Sequence, residues 1–215
     1  MAIYDTEEEQ LEALKRWWNE NGTSTIVGLA IGVAVIFGWN YRQDYKKEQA
    51  NQSSALYDQL LKAEQSDQKD TVDKLSKKLQ EQFADSNYAA YAGLFQAKLK
   101  VDKGDIAGAK DILKKIAEGP DKDLRHIAKI RLVKLMLASG EYEQGLQLIN
   151  SVDQSEAAKF SDNYDELVGD LYVALDRLDE ARTAYQKALK NGYQSPLLQL
   201  KIDDLTAPEK TEAKK

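Results

Sequence analysis

Hydrophobic positions along most of this chain recur at intervals of three and four residues, the pattern of an amphipathic helix, but one segment departs from it. Residues 21–41 form a run of 21 residues without Asp, Glu, Lys or Arg, in a sequence where 31% of residues are charged. At about 1.5 Å per residue, a helix over this run reaches roughly 31 Å, which matches the ~30 Å hydrocarbon core of a bilayer. The pattern predicts a single transmembrane helix over residues 23–41.

Aromatic residues flank the predicted span, with Trp17 and Trp18 at one end and Trp39 and Tyr41 at the other. Amphipathic rings prefer the headgroup level, so this placement favours a span over a buried core helix. A cleaved signal peptide is the other alternative, but it begins with basic residues, and the first 20 residues here carry six acids against two bases. We therefore expect the span to be retained as an anchor.

Residues 1–22 are predicted to form a short amphipathic helix that lies on the membrane surface. Asn21 and Gly22 predict the end of this helix, because either residue readily takes the left-handed conformation that closes a last turn. Thr23 or Ser24 would then cap the span as a separate helix.

Beyond the span, periodic hydrophobic segments alternate with short polar breaks, which predicts an all-α soluble part. Three turn segments begin 36 residues apart, each with a small residue five positions later, and together they form an internal repeat. The segments begin at Gly104, Gly140 and Asp176, and the small residues are Ala109, Gly145 and Ala181. Because a small side chain lets two antiparallel helices approach closely, we expect stacked helix hairpins.

The last copy resembles the tetratricopeptide repeat, and the two earlier copies match it more loosely. The residues at the spacings of that pattern are Gly169, Tyr172, Ala181, Tyr185 and Ala188, with Ala97 and Val133 in place of the glycine in the earlier copies. A degenerate first hairpin is predicted over residues 52–83, with these side chains facing inward: Leu56, Leu60, Leu75, Leu79 and Phe83.

The predicted fold class is therefore all-α, with a single N-terminal transmembrane helix followed by a tetratricopeptide-like α-solenoid. Residues 42–51 would form a juxtamembrane helical linker and residues 52–205 the repeat domain. Residues 206–215 lack apolar periodicity and are predicted to be a disordered tail.

Composition argues against several function classes. Residues 42–215 hold 28 basic and 30 acidic side chains, so the soluble part lacks the basic footprint of a nucleic-acid binder. The chain has no cysteine, and we expect its single histidine, His126, to lie partly exposed near the start of a repeat's first helix. Neither a phosphate-binding glycine loop nor a metal-ligand spacing occurs. The sequence predicts no enzyme, no cofactor and no metal site; an enzyme would need a deep pocket where carboxylates converge on His126.

Two surfaces are candidates for binding. In the span, Ser24, Gly28 and Gly32 lie four residues apart, and such a small-residue face lets another membrane helix pack closely. In the repeats, first-helix residues form the predicted concave side, where aromatic, aliphatic and charged groups suit a peptide or protein partner. The predicted partner-binding residues are Tyr91, Leu94, Lys98, Ile130, Arg131, Lys134, Asn163, Glu166 and Asp170.

The N-terminal block, followed by tetratricopeptide-like repeats, resembles the YfgM family of ancillary subunits of the bacterial SecYEG translocon. The residues that carry the resemblance are Tyr4, Glu9, Gln10, Glu12, Lys15, Trp17, Trp18, Asn21, Gly22, Gly28, Gly32, Gly38 and Trp39. The resemblance implies a bacterial inner-membrane protein with a cytoplasmic N-terminus and periplasmic repeats. It also implies three partners, namely SecYEG, the chaperone PpiD and unfolded or emerging polypeptides, which the protein would help pass to periplasmic chaperones.

Charge alone does not give this orientation. Lys15 and Arg16 precede the span, whereas Arg42, Lys46 and Lys47 follow it, so the positive-inside count slightly opposes the topology that the resemblance implies. Long domains translocate largely regardless of charge, which weakens that objection. A cytoplasm-facing tetratricopeptide scaffold of a different membrane complex remains the alternative.

Overall fold

The computed structural model describes residues 7–153, 155–190 and 195–206, which are helical and contain no strand. The predicted disordered tail falls mainly on residues 207–215, which lie outside the described residues. The helices are α1 (Glu7–Gln65), α2 (Lys69–Gln82), α3 (Asn87–Asp102), α4 (Ile106–Ala117), α5 (Lys122–Ala138), α6 (Tyr142–Asn150), α7 (Ser161–Ala174), α8 (Leu178–Lys190) and α9 (Pro196–Thr206), with a 3₁₀ turn at Ala158–Phe160. The chain divides into two compact units, Met1–Gln52 and Ser53–Lys215.

In the first unit, α1 continues through the predicted helix end at Asn21 and Gly22, so that prediction is wrong, as is the cap at Thr23 or Ser24. The side chain of Asn21 donates to the carbonyl of Trp17 at 3.1 Å instead of closing a turn. Starting a new helix requires a costly nucleus, whereas one Gly inside a helix costs only about 1 kcal/mol relative to Ala. Continuation is therefore the cheaper arrangement.

Helix α1 is the one helix in the described part of the chain that is long and apolar enough to cross a membrane. Every side chain over residues 23–41 is exposed, including the large aliphatic and aromatic ones. A continuous apolar surface of this kind is unfavourable in water and suited to lipid. These features support the predicted N-terminal transmembrane helix.

In the second unit, consecutive helices from α2 to α9 pack against one another, and α5 also packs against α7. The internal repeat is confirmed by its turns, because Gly104, Gly140 and Asp176 all adopt a positive φ, at 79°, 77° and 59°. In each turn the following residue's N–H reaches back to a carbonyl five residues earlier, which satisfies an orphan group at the helix end. These bonds are Asp105 to Lys100 at 2.8 Å, Glu141 to Met136 at 2.9 Å and Arg177 to Tyr172 at 2.8 Å.

The small residues of the repeat, which the sequence predicts at close approaches between the helices of a hairpin, are all buried. Ala109 and Ala181 are completely buried. A Cβ on Gly145 would lie 3.0 Å from Cδ2 of Leu171, so the absence of a side chain at Gly145 leaves room for α7 of the following hairpin. The small position therefore contributes to stacking between hairpins.

The side chains predicted to face inward in the first hairpin lie in one core cluster, to which α2, α3 and the last turns of α1 contribute. Leu60 and Leu79 are completely buried and Phe83 is 8% exposed. Leu56 and Leu75 are partly buried against the same cluster, which also includes Leu99 of α3.

Candidate functional site

The structure brings four of the nine predicted partner-binding residues around one cavity of about 330 Å³ between α3 and α5, here called the α3–α5 groove. Its lining consists of Leu94, Ala97, Lys98, Val101, Leu113, Arg131, Lys134 and Leu135. Apolar side chains form the floor, and the three basic side chains stand at the rim. The groove can therefore accommodate an apolar side chain of another molecule, with a negatively charged group of that molecule next to it.

Helix spacing explains how these residues converge. Leu94 and Lys98 are one turn apart on α3, and Arg131 and Lys134 are one turn apart on α5. Both helices begin at defined caps: Ser86 Oγ accepts from the N–H of Ala89, and Asp121 Oδ1 accepts from the N–H of Leu124. The caps fix where each helix starts.

The three rim bases differ in their pairing. Lys98 Nζ donates to Glu64 Oε1 at 2.5 Å, and this hydrogen bond raises the pKa of Lys98. Arg131 and Lys134 are exposed, and within residues 7–153, 155–190 and 195–206 no carboxylate lies within 4.0 Å of either charge. Two positive charges, unpaired among the described residues, thus face solvent at the groove.

Two predicted binding residues belong more to the core than to the surface. Leu94 is only 7% exposed and forms part of the groove floor. Ile130 is half-buried against the cluster that contains Val133 and Leu167. Tyr91 is 38% exposed, with its ring centroid 5.8 Å from that of Tyr57.

Two of the three predicted residues on α7, Glu166 and Asp170, already have partners inside the chain. Lys201 Nζ of α9 donates to Glu166 Oε1 at 2.8 Å and to Asp170 Oδ1 at 2.6 Å. Tyr185 Oη donates to the same oxygen of Asp170 at 2.7 Å, and Asn163 is half-buried. Helix α9 therefore engages the charged groups that sequence reasoning assigned to a partner.

Sequence reasoning missed Lys201 and, apart from Leu94, the groove floor. The repeat period contained a signal for Lys201, because it lies 35 residues after Glu166, about one repeat further along. Helix α9 thus comes where the first helix of another hairpin would stand. The apolar floor carries no such signal, since its residues have the same spacing as ordinary core positions.

His126 is buried, not partly exposed as predicted. It is 3% exposed, its Nδ1 lies 3.0 Å from Tyr164 Oη, and its ring stacks on Phe160 at 5.2 Å. Burial lowers the pKa of His126, and the nearby charges of Lys129 and Arg125 lower it further. Burial also raises the pKa of Tyr164 to about 12. The contacts fasten the α6–α7 connection to α5.

The small-residue face of α1 is open. Ser24 is exposed, and a Cβ built on Gly28 or Gly32 would meet nothing within 4 Å. The described residues contain no group of three or more His, Cys, Asp or Glu side chains placed to hold a metal ion.

Comparison with known proteins gives a family for both parts of the chain. Residues 15–207 match the model of the tetratricopeptide repeat-like domain. The chain is 32% identical over 213 residues to a Haemophilus influenzae protein named ancillary SecYEG translocon subunit, covering 95% of this chain and 100% of that one. Proteins of the same name from Aggregatibacter actinomycetemcomitans and Escherichia coli K12 are 32% and 27% identical, over 95% and 96% of this chain and all of theirs.

Proposed function

We propose, because the chain belongs to the family of ancillary SecYEG translocon subunits, that it is a membrane-anchored adaptor of the translocon. One observation carries this proposal: the similarity runs over 95% of the chain and all of the Haemophilus relative. It therefore includes both the apolar part of α1 and the helix hairpins. An anchor and a binding platform are the two parts that a membrane adaptor needs.

In this proposal the span contacts the translocon laterally through Ser24, Gly28 and Gly32. The open space at both glycines supports such a contact, because close backbone approach gives helices in lipid their van der Waals packing. The hairpin domain lies in the periplasm and binds PpiD and emerging polypeptides. It would thereby help pass secreted chains to periplasmic chaperones.

Co-purification from native membranes tests the adaptor function. The unaltered chain, carrying an affinity tag, is expected to recover SecYEG and PpiD. Combining Gly28→Leu with Gly32→Leu should reduce recovery of SecYEG while leaving insertion intact, because apolarity rises but close approach is lost. Failure of the unaltered chain to recover SecYEG would contradict the proposed function.

A matched control changes another face of the same helix. Val33→Leu with Phe37→Leu keeps the span apolar, and both positions are exposed in the structure. This variant should recover SecYEG as well as the unaltered chain does. Equal recovery by the glycine variant would place the contact elsewhere than on the small-residue face.

One observation favours a second candidate, a cytoplasm-facing scaffold of a different membrane complex. Arg42, Lys46 and Lys47 follow the span and are exposed, which is the side that the positive-inside rule assigns to the cytoplasm. Recovery of cytoplasmic partners without SecYEG would support this alternative.

A further inference from the structure

We infer that the α3–α5 groove docks a protein segment in which an apolar side chain is flanked by carboxylates. The inference rests on the proposed adaptor function and names the chemistry of the segment that the hairpin domain would bind. It depends on two features of the groove, an apolar floor and a pair of bases that have no carboxylate partner in the part of the chain that the structure describes.

The floor supplies the apolar half of the recognition. Ala97 and Leu113 are buried, and Val101 and Leu135 are partly buried with their edges toward a cavity of about 330 Å³. A cavity of this size between two helices has room for an aliphatic or aromatic side chain. Covering these edges would remove apolar surface from water.

The rim supplies the charged half. Arg131 and Lys134 project from α5 one turn apart, exposed at the mouth of the cavity. Long basic side chains can lay their stems along apolar surface and keep the charge in water. A guanidinium also binds a carboxylate through two parallel hydrogen bonds, so Arg131 suits an Asp or Glu of the partner.

The repeat explains why Lys134 has no carboxylate partner among the described residues. Lys98 pairs with Glu64, 34 residues earlier in the chain. Lys134 is the repeat equivalent of Lys98. The residue 34 positions before Lys134 is Lys100, so a base stands there in place of the acid Glu64. Lys100 itself donates to Asp105 at 2.5 Å. The chain thus neutralises Lys98. Among the described residues Lys134 has no carboxylate partner, so it can pair with a carboxylate of another protein.

Fluorescence anisotropy tests the inference on the full chain in phosphatidylcholine nanodiscs. The probe is a fluorescein-labelled synthetic peptide, Gly-Asp-Glu-Leu-Phe-Glu-Asp-Gly. Two matched peptides replace the acids by Asn and Gln, or the Leu and Phe by Ser. The acidic apolar peptide should bind about tenfold more tightly than either at low salt, and the difference should shrink as salt screens the charges.

Charge reversal locates the contact. Arg131→Glu with Lys134→Glu should weaken binding of the acidic peptide by about tenfold or more, because attraction becomes repulsion at exposed positions. The matched control is Lys74→Glu with Lys78→Glu, the same charge change at exposed positions of α2 outside the groove. The control should bind the peptide nearly as the unaltered chain does. A lysine version of the peptide should bind the Arg131/Lys134 variant better than it binds the unaltered chain.

Several outcomes would overturn the inference. Equal binding of the acidic and amide peptides would show that the groove does not recognise carboxylates. An equal loss of peptide affinity in both charge-reversed variants would show the same. Binding of phosphatidylglycerol vesicles that depends on Arg131 and Lys134, with no binding of the peptide, would make the rim a lipid-contacting patch. SecYEG recovery is measured separately: recovery without peptide binding defeats this inference alone, whereas loss of SecYEG from the unaltered chain defeats the proposed function.

Discussion

At the residue scale, Gly169 shows how one absent Cβ sets the distance between two helices. A Cβ on Gly169 of α7 would overlap Cε1 of Tyr185 on α8, well inside contact distance. The Tyr185 ring is 2% exposed, and its hydroxyl is fixed by Asp170. The ring therefore has neither room nor freedom to retreat.

Gly169→Ala is expected to lower the free energy of unfolding. Overpacking typically costs about 1–3 kcal/mol, and the better helix propensity of Ala returns at most about 1 kcal/mol. Chemical denaturation of the detergent-solubilised chain measures the difference. Gly93→Ala is the control, because its Cβ would lie 3.0 Å from the flexible end of Ile116 and at an ordinary contact distance, 3.7 Å, from Ile112, so it should be close to neutral. Equal effects of the two substitutions would contradict this account.

His126 should make stability depend on pH. Burial holds its pKa below the ordinary value near 6.5, so the unfolded chain takes up the proton more readily than the folded chain. The stability due to the neutral buried ring is present above about pH 6.5 and is lost as pH falls below it. The melting temperature of His126→Asn should fall less between pH 7 and pH 5 than that of the unaltered chain.

A second variant separates titration from packing. Tyr164→Phe removes the hydroxyl that lies 3.0 Å from His126 Nδ1 but keeps the titrating ring. It should melt at a lower temperature and keep the pH dependence. An identical pH dependence in His126→Asn and the unaltered chain would show that other groups control it.

At the element scale, glycine ends helices in some places and not in others. Gly104 and Gly140 take a positive φ at helix ends, whereas Gly22 lies inside α1. The indole of Trp18 lies over Gly22, where a Cβ would stand 3.2 Å from the ring. Turn residues end a helix in this chain where the following segment packs back as a hairpin.

Lys201 holds helix α9 against α7 through its contacts with Glu166 and Asp170, and substitution of Lys201 tests how much these contacts contribute. Lys201→Met keeps most of the stem but leaves Glu166 and Asp170 without their cation. A partly buried charge that loses its partner costs about 1–3 kcal/mol, so amide hydrogen exchange over α9 should accelerate. Lys190→Met, at an exposed position of α8, should leave exchange of α9 unchanged. Unaltered exchange in Lys201→Met would show that the apolar contacts of Leu198 and Ile202 suffice.

At the scale of the whole molecule, the proposed topology has a direct test. Intact spheroplasts treated with external protease should lose the hairpin domain and keep a small fragment that contains the span. The expectation follows from the family, since charge on the two sides of the span slightly favours the reverse. Protection of the domain until the membrane is permeabilised would contradict periplasmic placement.

The sequence by itself determined the elements and the kind of protein. The uncharged run of 21 residues can be recognised as a membrane span without a structure, because the thickness of the bilayer sets the length of a span. The period of 36 was readable because each hairpin must repeat its turn and its small residue to stack on the next. The same patterns identified the all-α fold, and the N-terminal block indicated the family.

Only the tertiary structure decided which residues of those elements remain exposed and free to bind a partner. His126, Leu94, Glu166 and Asp170 lie on periodic helix positions, yet burial or pairing with Lys201 engages them. Helical periodicity tells which side chains share a face, but not which neighbouring helix covers that face. Availability depends on contacts between residues 30 to 40 positions apart, as between Glu166 and Lys201, and these form only when the hairpins stack.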